Sequence, residues 1–300
     1  TLDLAIIEPA NQHFYQPGWT MVGGGIFSKE QTVREMDTVW PAGTKRIKGA
    51  VATFQPDGNT VTLTDGTVVS YDYLVVATGL KLDWDAIEGL SDTLGKNGVT
   101  SNYRFDLAPY TWKLVQEMSG KEAIFTQPPM PIKCAGAPQK AMYLSCDAWL
   151  KAGKLNDLKV SFCNAGPVLF GCAPYVPPLM KYVKKYGINL DFSHNLIKID
   201  GPAKTAWFKA TKEGEEPEIV ERKFDMIHVC PPQCAPDFIS ESPLAGAGGW
   251  VDVDQATLQH TKFNNIFGLG DVTSTPNAKT AAAARKQAPI VAQNLIAQIK

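Results

Sequence analysis

The sequence carries six cysteines, and their surroundings sort them by chemistry. Cys134 sits in Pro131-Ile132-Lys133-Cys134-Ala135-Gly136-Ala137-Pro138, between an apolar strand and a helix. Lys133, Lys140 and the start of that helix all favour the thiolate, the nucleophilic form of the side chain. A reactive role and a structural one both fit these residues. Cys146 falls on the apolar face of its helix and Cys163 ends an apolar strand. Both are expected in the core, where free cysteine behaves as a small hydrophobe. Cys172, in a Gly/Pro loop, fits either role. Cys230-Pro231-Pro232-Gln233-Cys234 has neither the C-x-x-C redox spacing nor a second pair to complete a zinc set. The four histidines (His13, His194, His228, His260) form no pair at helical spacing, so no metal is expected.

Strand ends rich in glycine form a second group. Gly268-Leu269-Gly270-Asp271 follows an apolar strand and precedes a helix. An Asp there can accept hydrogen bonds from a ribityl chain, while free N–H groups at the helix start favour an anion or a polarised carbonyl. This order of strand, Gly-Asp, loop and helix recurs late in flavin-binding proteins of the disulfide-reductase type. An ordinary turn with a capping Asp has the same pattern. Ala77-Thr78-Gly79 closes another apolar strand, and its glycine permits close approach by a ligand. Glu8 closes the apolar run 2–7. An acidic residue so placed holds a nucleotide ribose in doubly wound sheets, but that fingerprint needs a G-x-G-x-x-G loop about 20 residues earlier. A plain polar residue after an edge strand fits Glu8 equally. In Asn164-Ala165-Gly166-Pro167-Val168-Leu169-Phe170-Gly171 the glycines lie five apart and Pro167 removes a donor, which argues against a nicotinamide substrate.

The elements that must position these groups follow from periodicity. Strands are expected at 2–7, 48–54, 74–77, 123–126, 160–163, 207–210, 226–229 and 265–269, with hairpin turns at Asp57-Gly58 and Asp65-Gly66. The runs 2–7 and 74–77 look buried. Helices are expected over 29–39, with Ser28 as N-cap and Gln31 as its capping-box partner, over 106–118, 139–151 and 176–186, and from about 277 to the end. The pattern is α/β, and 300 residues allow two domains. A net charge of -1 removes the usual electrostatic motive for binding nucleic acid. No apolar run approaches the ~20 residues of a spanning helix. Six cysteines are too dilute for a disulfide scaffold.

With these segments in hand, the chain resembles the sulfide:quinone oxidoreductases, a flavoprotein family of the two-dinucleotide-binding-domain superfamily. It looks most like the branch that includes the mitochondrial enzymes. The matching stretches are EPANQHFYQPGWTMVGGG (8–25), YDYLVVATG (71–79), PIKCAGAPQKAMYLS (131–145), GWVDVDQATLQH (249–260), and FGLGD with KTAAA (267–271, 279–283). The resemblance implies tandem Rossmann-like, FAD/NAD(P)-binding domains, the second inserted into the first. The FAD-binding domain would take 1–117 and 235–300, and the second domain 118–234. It also implies FAD, sulfide as donor, a quinone as acceptor, and a small thiol or sulfite as sulfur acceptor. Such a protein is peripheral to the bacterial inner membrane, or to the mitochondrial inner membrane in a eukaryote.

Position by position, the resemblance assigns the adenosine ribose of FAD to Glu8 and the adenine to the backbone of Val51. Gln16 and Pro17 would line the flavin. Thr78, Gly79, Gly270 and Asp271 would contact the pyrophosphate and ribityl portions, and Lys279 and Thr280 the pyrimidine edge of the isoalloxazine. Cys134 would carry sulfide-derived sulfur as a persulfide and attack the flavin, with quinone on the opposite face near Lys279 and the Pro231-Pro232 loop. Three departures stand out. The strand and G-x-G-x-x-G loop expected before Glu8 are absent from this sequence, and so is the family's carboxy-terminal membrane-binding region. The chain therefore reads as the middle of a longer protein. Val272 also stands where the mitochondrial-type enzymes carry their second redox cysteine, for which Cys230 or Cys234 is a substitute. Rival readings are a flavoprotein passing electrons from NADH to quinone or from sulfide to a cytochrome, and an inactive fragment that binds no flavin.

Overall fold

The computed structural model describes residues 2–300. Two compact units share the chain. The first takes the segment up to His13, Arg34–Leu82 and Gln233–Lys300. The second is inserted into it as two segments, Phe14–Val33 and Asp83–Pro232.

The second unit is built on a five-stranded parallel sheet, ordered Val99–Thr100, Met226–His228, Glu122–Gln127, Lys159–Asn164, Asn189–Phe192. Its strands are apolar on both faces because both are covered, as parallel sheets require. Successive residues alternate between the two layers. Phe125, Phe162 and Met226 pack with Ala141, Met142, Cys146 and Trp149 of helix Ala137–Lys151, and with Val115 of helix Ala108–Glu117. Ile124, Cys163 and Ile227 point the other way, onto Leu196, Ala206 and Phe208 of an antiparallel sheet, His194–Asp200, Thr205–Ala210 and Glu218–Lys223. Strand Glu122–Gln127, helix Ala137–Lys151 and strand Lys159–Asn164 make a βαβ unit whose first connecting loop carries Cys134.

The first unit holds two parallel strand pairs. Ala5–Ile7 lies beside Lys45–Ile47, and Leu74–Val76 beside Ile266–Gly268. An antiparallel sheet, Val51–Gln55, Thr60–Leu63 and Val68–Ser70, forms around the two turns expected from Asp-Gly. Phe54, Val61, Val76, Val251, Ile266, Phe267 and Val291 make the core. Helix Ala281–Ile299 supplies Val291 and follows the Gly-Asp loop.

Three local expectations need correction. The capping box at Ser28 and Gln31 forms, but it closes only a 3-10 turn, Lys29–Thr32. β-branched Val33 turns extended (φ -127°, ψ 145°) and begins strand Val33–Glu35, leaving helix only at Met36–Val39. The run 2–7 is not buried: Leu2 and Leu4 are half exposed and Ile6 is 37% exposed. Nor is 74–77 buried throughout, since Val76 enters the core while Val75 is 41% exposed. Each of these strands has one strand partner among the described residues, so apolar runs here do not mean two covered faces. The compact units divide at 13/14, 33/34, 82/83 and 232/233, beside the 117/118 and 234/235 expected for the domains. Val99–Thr100 and Ala108–Glu117 join the second unit's sheet and its helical layer.

Candidate active site

In the second unit, the loop between Gln127 and Ala137 is anchored by Ile132, which is 1% exposed. Cys134 follows it in the left-handed region at φ +54°. For a residue with a Cβ this costs about 1–2 kcal/mol, a strain that recurs where geometry serves function. The Cys134 carbonyl accepts from Ala137 N at 2.7 Å, which ties the loop to the first turn of the helix. Lys140, one turn into that helix, brings Nζ to 3.7 Å from Cys134 Sγ. A cation at that distance stabilises negative charge on sulfur. Lys133 Nζ donates to Gln16 Oε1 at 2.6 Å, so Gln16 and its neighbour Pro17, in the turn Gln16–Gly18, lie by the cysteine loop.

Tyr103 is the group that sequence reading missed. It is 5% exposed, and its hydroxyl donates to Lys133 O at 3.2 Å. Burial, and then the sulfurs of Cys230 and Cys134, hold its phenol pKa well above the usual tyrosine range. One neutral phenol therefore lies within electrostatic reach of both sulfurs. Cys230 is 1% exposed, with its N–H on Thr126 Oγ1 at 3.3 Å, whereas Cys234 belongs to the first unit. Cys146 and Cys163 are fully buried, as expected, and burial pushes each thiol up to about 12. Cys172 is exposed.

The loop 164–171 closes on itself. Asn164 Oδ1 takes the Gly166 N–H at 2.9 Å, its Nδ2 donates to Val168 O at 2.8 Å, and Gln139 Nε2 donates to Leu169 O at 2.6 Å. A backbone donor that could have met a phosphate is thereby occupied. Among the described residues no three His, Cys, Asp or Glu side chains gather as a metal site.

In the first unit, pairing Val76 with Gly268 brings Thr78 and Gly79 level with Gly270 and Asp271 at the same strand ends. Gly79 has φ +74°, and a Cβ there would meet no atom within 4 Å, so its side of the backbone is open. Gly270 N donates to Gln287 Oε1 at 2.7 Å, which fixes the Gly-Asp turn to helix Ala281–Ile299. Thr280 caps that helix by accepting Ala283 N at 3.1 Å. Its first amides stay free of intrahelical partners. Lys279 is 6% exposed, donates to Asp271 O (2.7 Å) and Thr273 O (2.9 Å), and lies 3.8 Å over the Trp250 ring. Burial lowers its pKa to about 8, against a smaller opposing pull from Asp271. Trp250 and Gln287 carry no local signal of this role, because their partners lie 29 and 17 residues away in sequence. Glu8 and Val51 stand elsewhere in this unit. Glu8 donates its N–H to Ile47 O and accepts Ala10 N on Oε1 at 2.8 Å, while Val51 opens the antiparallel sheet.

No protein-family model matches the chain. It is 45% identical over 297 residues to the mitochondrial sulfide:quinone oxidoreductase of Dictyostelium discoideum, covering 98% of this chain and 64% of that protein. It is 39% identical over 289 residues to the mitochondrial enzyme of the same name from Mus musculus, covering 96% and 64%. The fold matches the X-ray structure of the sulfide:quinone oxidoreductase from Aquifex aeolicus with a TM-score of 0.84 at 20% identity, over 99% of this chain and 71% of that one. The chain thus spans 64% of the length of the curated relatives it matches. By sequence over nearly its whole length and by its tandem Rossmann-like fold, the chain is a relative of the sulfide:quinone oxidoreductases.

Proposed function

We propose that the full-length protein oxidises sulfide to protein-bound sulfane sulfur and passes the electrons by way of FAD to a membrane quinone. The observation that carries this reading is Cys134, held in left-handed backbone with Lys140 Nζ 3.7 Å from its sulfur, within a sequence 45% identical to a sulfide:quinone oxidoreductase. The first unit suits FAD: the open side of Gly79 stands level with Asp271 and next to a capped helix start. Thr78, Gly79, Gly270 and Asp271 would hold its pyrophosphate and ribityl portions, Glu8 its ribose, and the Val51 backbone its adenine. Gln16, Pro17, Lys279 and Thr280 would meet the flavin. Once bound, FAD supplies a two-electron acceptor. Lys279, with its pKa near 8, holds a proton close to neutrality at Nζ, where charge that builds during reduction would retain it.

On the protein side, hydrosulfide attacks Cys134 in its sulfur-bridged form. One S–S bond forms and one breaks, so Cys134 becomes a persulfide and the partner sulfur leaves as thiolate. Lys140 steadies the charge on Cys134 sulfur. Cys230 suits the partner role better than Cys234, because it shares a unit with Cys134 and the Tyr103 phenol lies within reach of both. The sulfane sulfur then leaves on a small thiol or on sulfite. We assign the protein to the mitochondrial inner membrane surface. No helix among the described residues is long and apolar enough to cross a membrane. The test is anaerobic sulfide titration of the full-length flavoprotein. Flavin bleaching should occur in the wild type and vanish in Cys134→Ala; equal bleaching in that variant would refute the role of Cys134.

A further inference from the structure

Cys134 is held in a backbone conformation that its own side chain disfavours. At φ +54° the Cβ crowds the carbonyl, a cost that persists only where the surroundings over-determine the geometry. Peptide units are planar, so the local conformation is set by how the two planes flanking Cys134 are turned. The following plane is held by its carbonyl, which accepts Ala137 N at 2.7 Å. The preceding plane carries the Lys133 carbonyl, and that oxygen accepts the Tyr103 hydroxyl at 3.2 Å. Turning the preceding plane changes ψ of Lys133 and φ of Cys134 together. It would therefore move the sulfur relative to Lys140 Nζ, which lies 3.7 Å from it.

Tyr103 is anchored well enough to impose this geometry. It follows strand Val99–Thr100, which pairs with Met226–His228 in the parallel sheet. The Asn102 N–H donates to His228 Nε2 at 2.9 Å, and the Tyr103 N–H donates to Ser101 Oγ at 3.1 Å. The ring itself is 5% exposed. One buried phenol thus ties the sheet to a loop 30 residues further along the chain. That loop is also held at Ile132, which is 1% exposed, and at Lys133 Nζ, which donates to Gln16 Oε1 at 2.6 Å. Both of these are side-chain contacts, which do not set the direction of the carbonyl ahead of Cys134. Burial, and then the sulfurs of Cys230 and Cys134, hold the Tyr103 pKa well above the usual tyrosine range, so the donor keeps its proton near neutral pH.

We propose that Tyr103 is the positioning residue of Cys134, fixing through the Lys133 carbonyl the left-handed turn that holds the sulfur within reach of the Lys140 ammonium. This rests on the reading of Cys134 as the reactive cysteine and adds the group that aims it. Tyr103→Phe keeps the buried ring and deletes the hydroxyl. The full-length FAD-loaded protein, reduced and then freed of reductant anaerobically, would be treated with iodoacetamide, quenched over time and digested for mass spectrometry. A cation beside the sulfur favours the thiolate, the form that alkylates. Alkylation of Cys134 should slow about tenfold in Tyr103→Phe, the equivalent of one lost hydrogen bond. Lys140→Gln should slow it to a similar extent. The double variant should be no slower than Lys140→Gln alone, because both changes act on one contact.

The remaining cysteines report on the fold in the same digest. Exposed Cys172 should react as in the wild type, and buried Cys146 and Cys163 should stay unmodified. An unchanged Cys134 rate in Tyr103→Phe would overturn the proposal, as would a double variant slowed by the product of the two single effects. Reaction at Cys146 and Cys163 would overturn it too, since the phenol would then serve general packing. Sulfide titration of the same proteins separates this proposal from the functional reading. Slower alkylation in Tyr103→Phe, with no bleaching in the wild type, would sink sulfide oxidation and spare the positioning role. Bleaching in the wild type, with alkylation unchanged in Tyr103→Phe, would do the reverse.

Discussion

Both units end parallel strands in loops, yet the loops are finished in opposite ways. In the first unit the strand ends are bare backbone: Gly79 has open space where a side chain would be, and Gly270 is held from behind by Gln287. In the second unit the strand ends are filled. Asn164 occupies a backbone donor of its own loop, the Asn102 N–H meets His228 Nε2 at 2.9 Å, and Cys134 is held in left-handed backbone before a helix start. Bare backbone suits a large, anionic, closely held group, and side chains with sulfur suit a small, reactive one. On the proposed function, the same strand-to-helix geometry would serve a cofactor platform in one place and a sulfur site in the other.

That contrast can be broken by substitution. Gly98, in the second unit, has φ +82°, and a Cβ there would lie 2.2 Å from Asp225 O. Gly98→Ala combines left-handed strain with a clash against backbone, and should cost about 4 kcal/mol in urea unfolding. A loss below 1 kcal/mol would mean that the unit's edge is softer than described. Acid should act on the second unit next. The folded-state pKa of His228, about 4, lies below its ordinary 6.5, so the unfolded state binds the proton first. Stability from this group is full above pH 6.5 and falls by about 3 kcal/mol on going to pH 4. His228→Gln should flatten that part of the pH profile of unfolding, and an unchanged profile would contradict the buried neutral ring. Gly79→Ala, in the first unit, meets no atom and carries only the left-handed cost of about 1–2 kcal/mol. It should lower flavin occupancy well out of proportion to that stability loss, which the visible spectrum of the purified protein would report.

The last prediction concerns Lys279. Its folded pKa of about 8 lies below the ordinary 10.5, so the unfolded state again binds more protons between those values. Stability of the flavin-free protein should rise with pH across that window, and Lys279→Met should remove the rise. A rise that persists in the variant would assign it elsewhere.

Much of the scaffold was legible in the sequence. Helix Ala137–Lys151 and strands Glu122–Gln127 and Lys159–Asn164 follow from periodicity, because the helix buries one regular stripe and the strands are buried on both faces. The 29–39 helix failed because a capping box signals only a start, and Val33 ended the turn it began. Cys134 and the Gly-Asp turn were visible as motifs. Tyr103 beside Lys133, Trp250 under Lys279 and Asn102 on His228 were not, since each is made by strands or loops far apart in sequence.

The central claim is that Cys134 carries the sulfur, and one measurement reaches it most directly. Full-length flavoprotein would be mixed anaerobically with a single equivalent of sulfide, quenched as the flavin bleaches, alkylated and digested for mass spectrometry. The expected product is one added sulfur atom on the peptide that contains Cys134, growing in step with bleaching. Complete bleaching with that peptide unmodified, and the added sulfur elsewhere or nowhere, would contradict it.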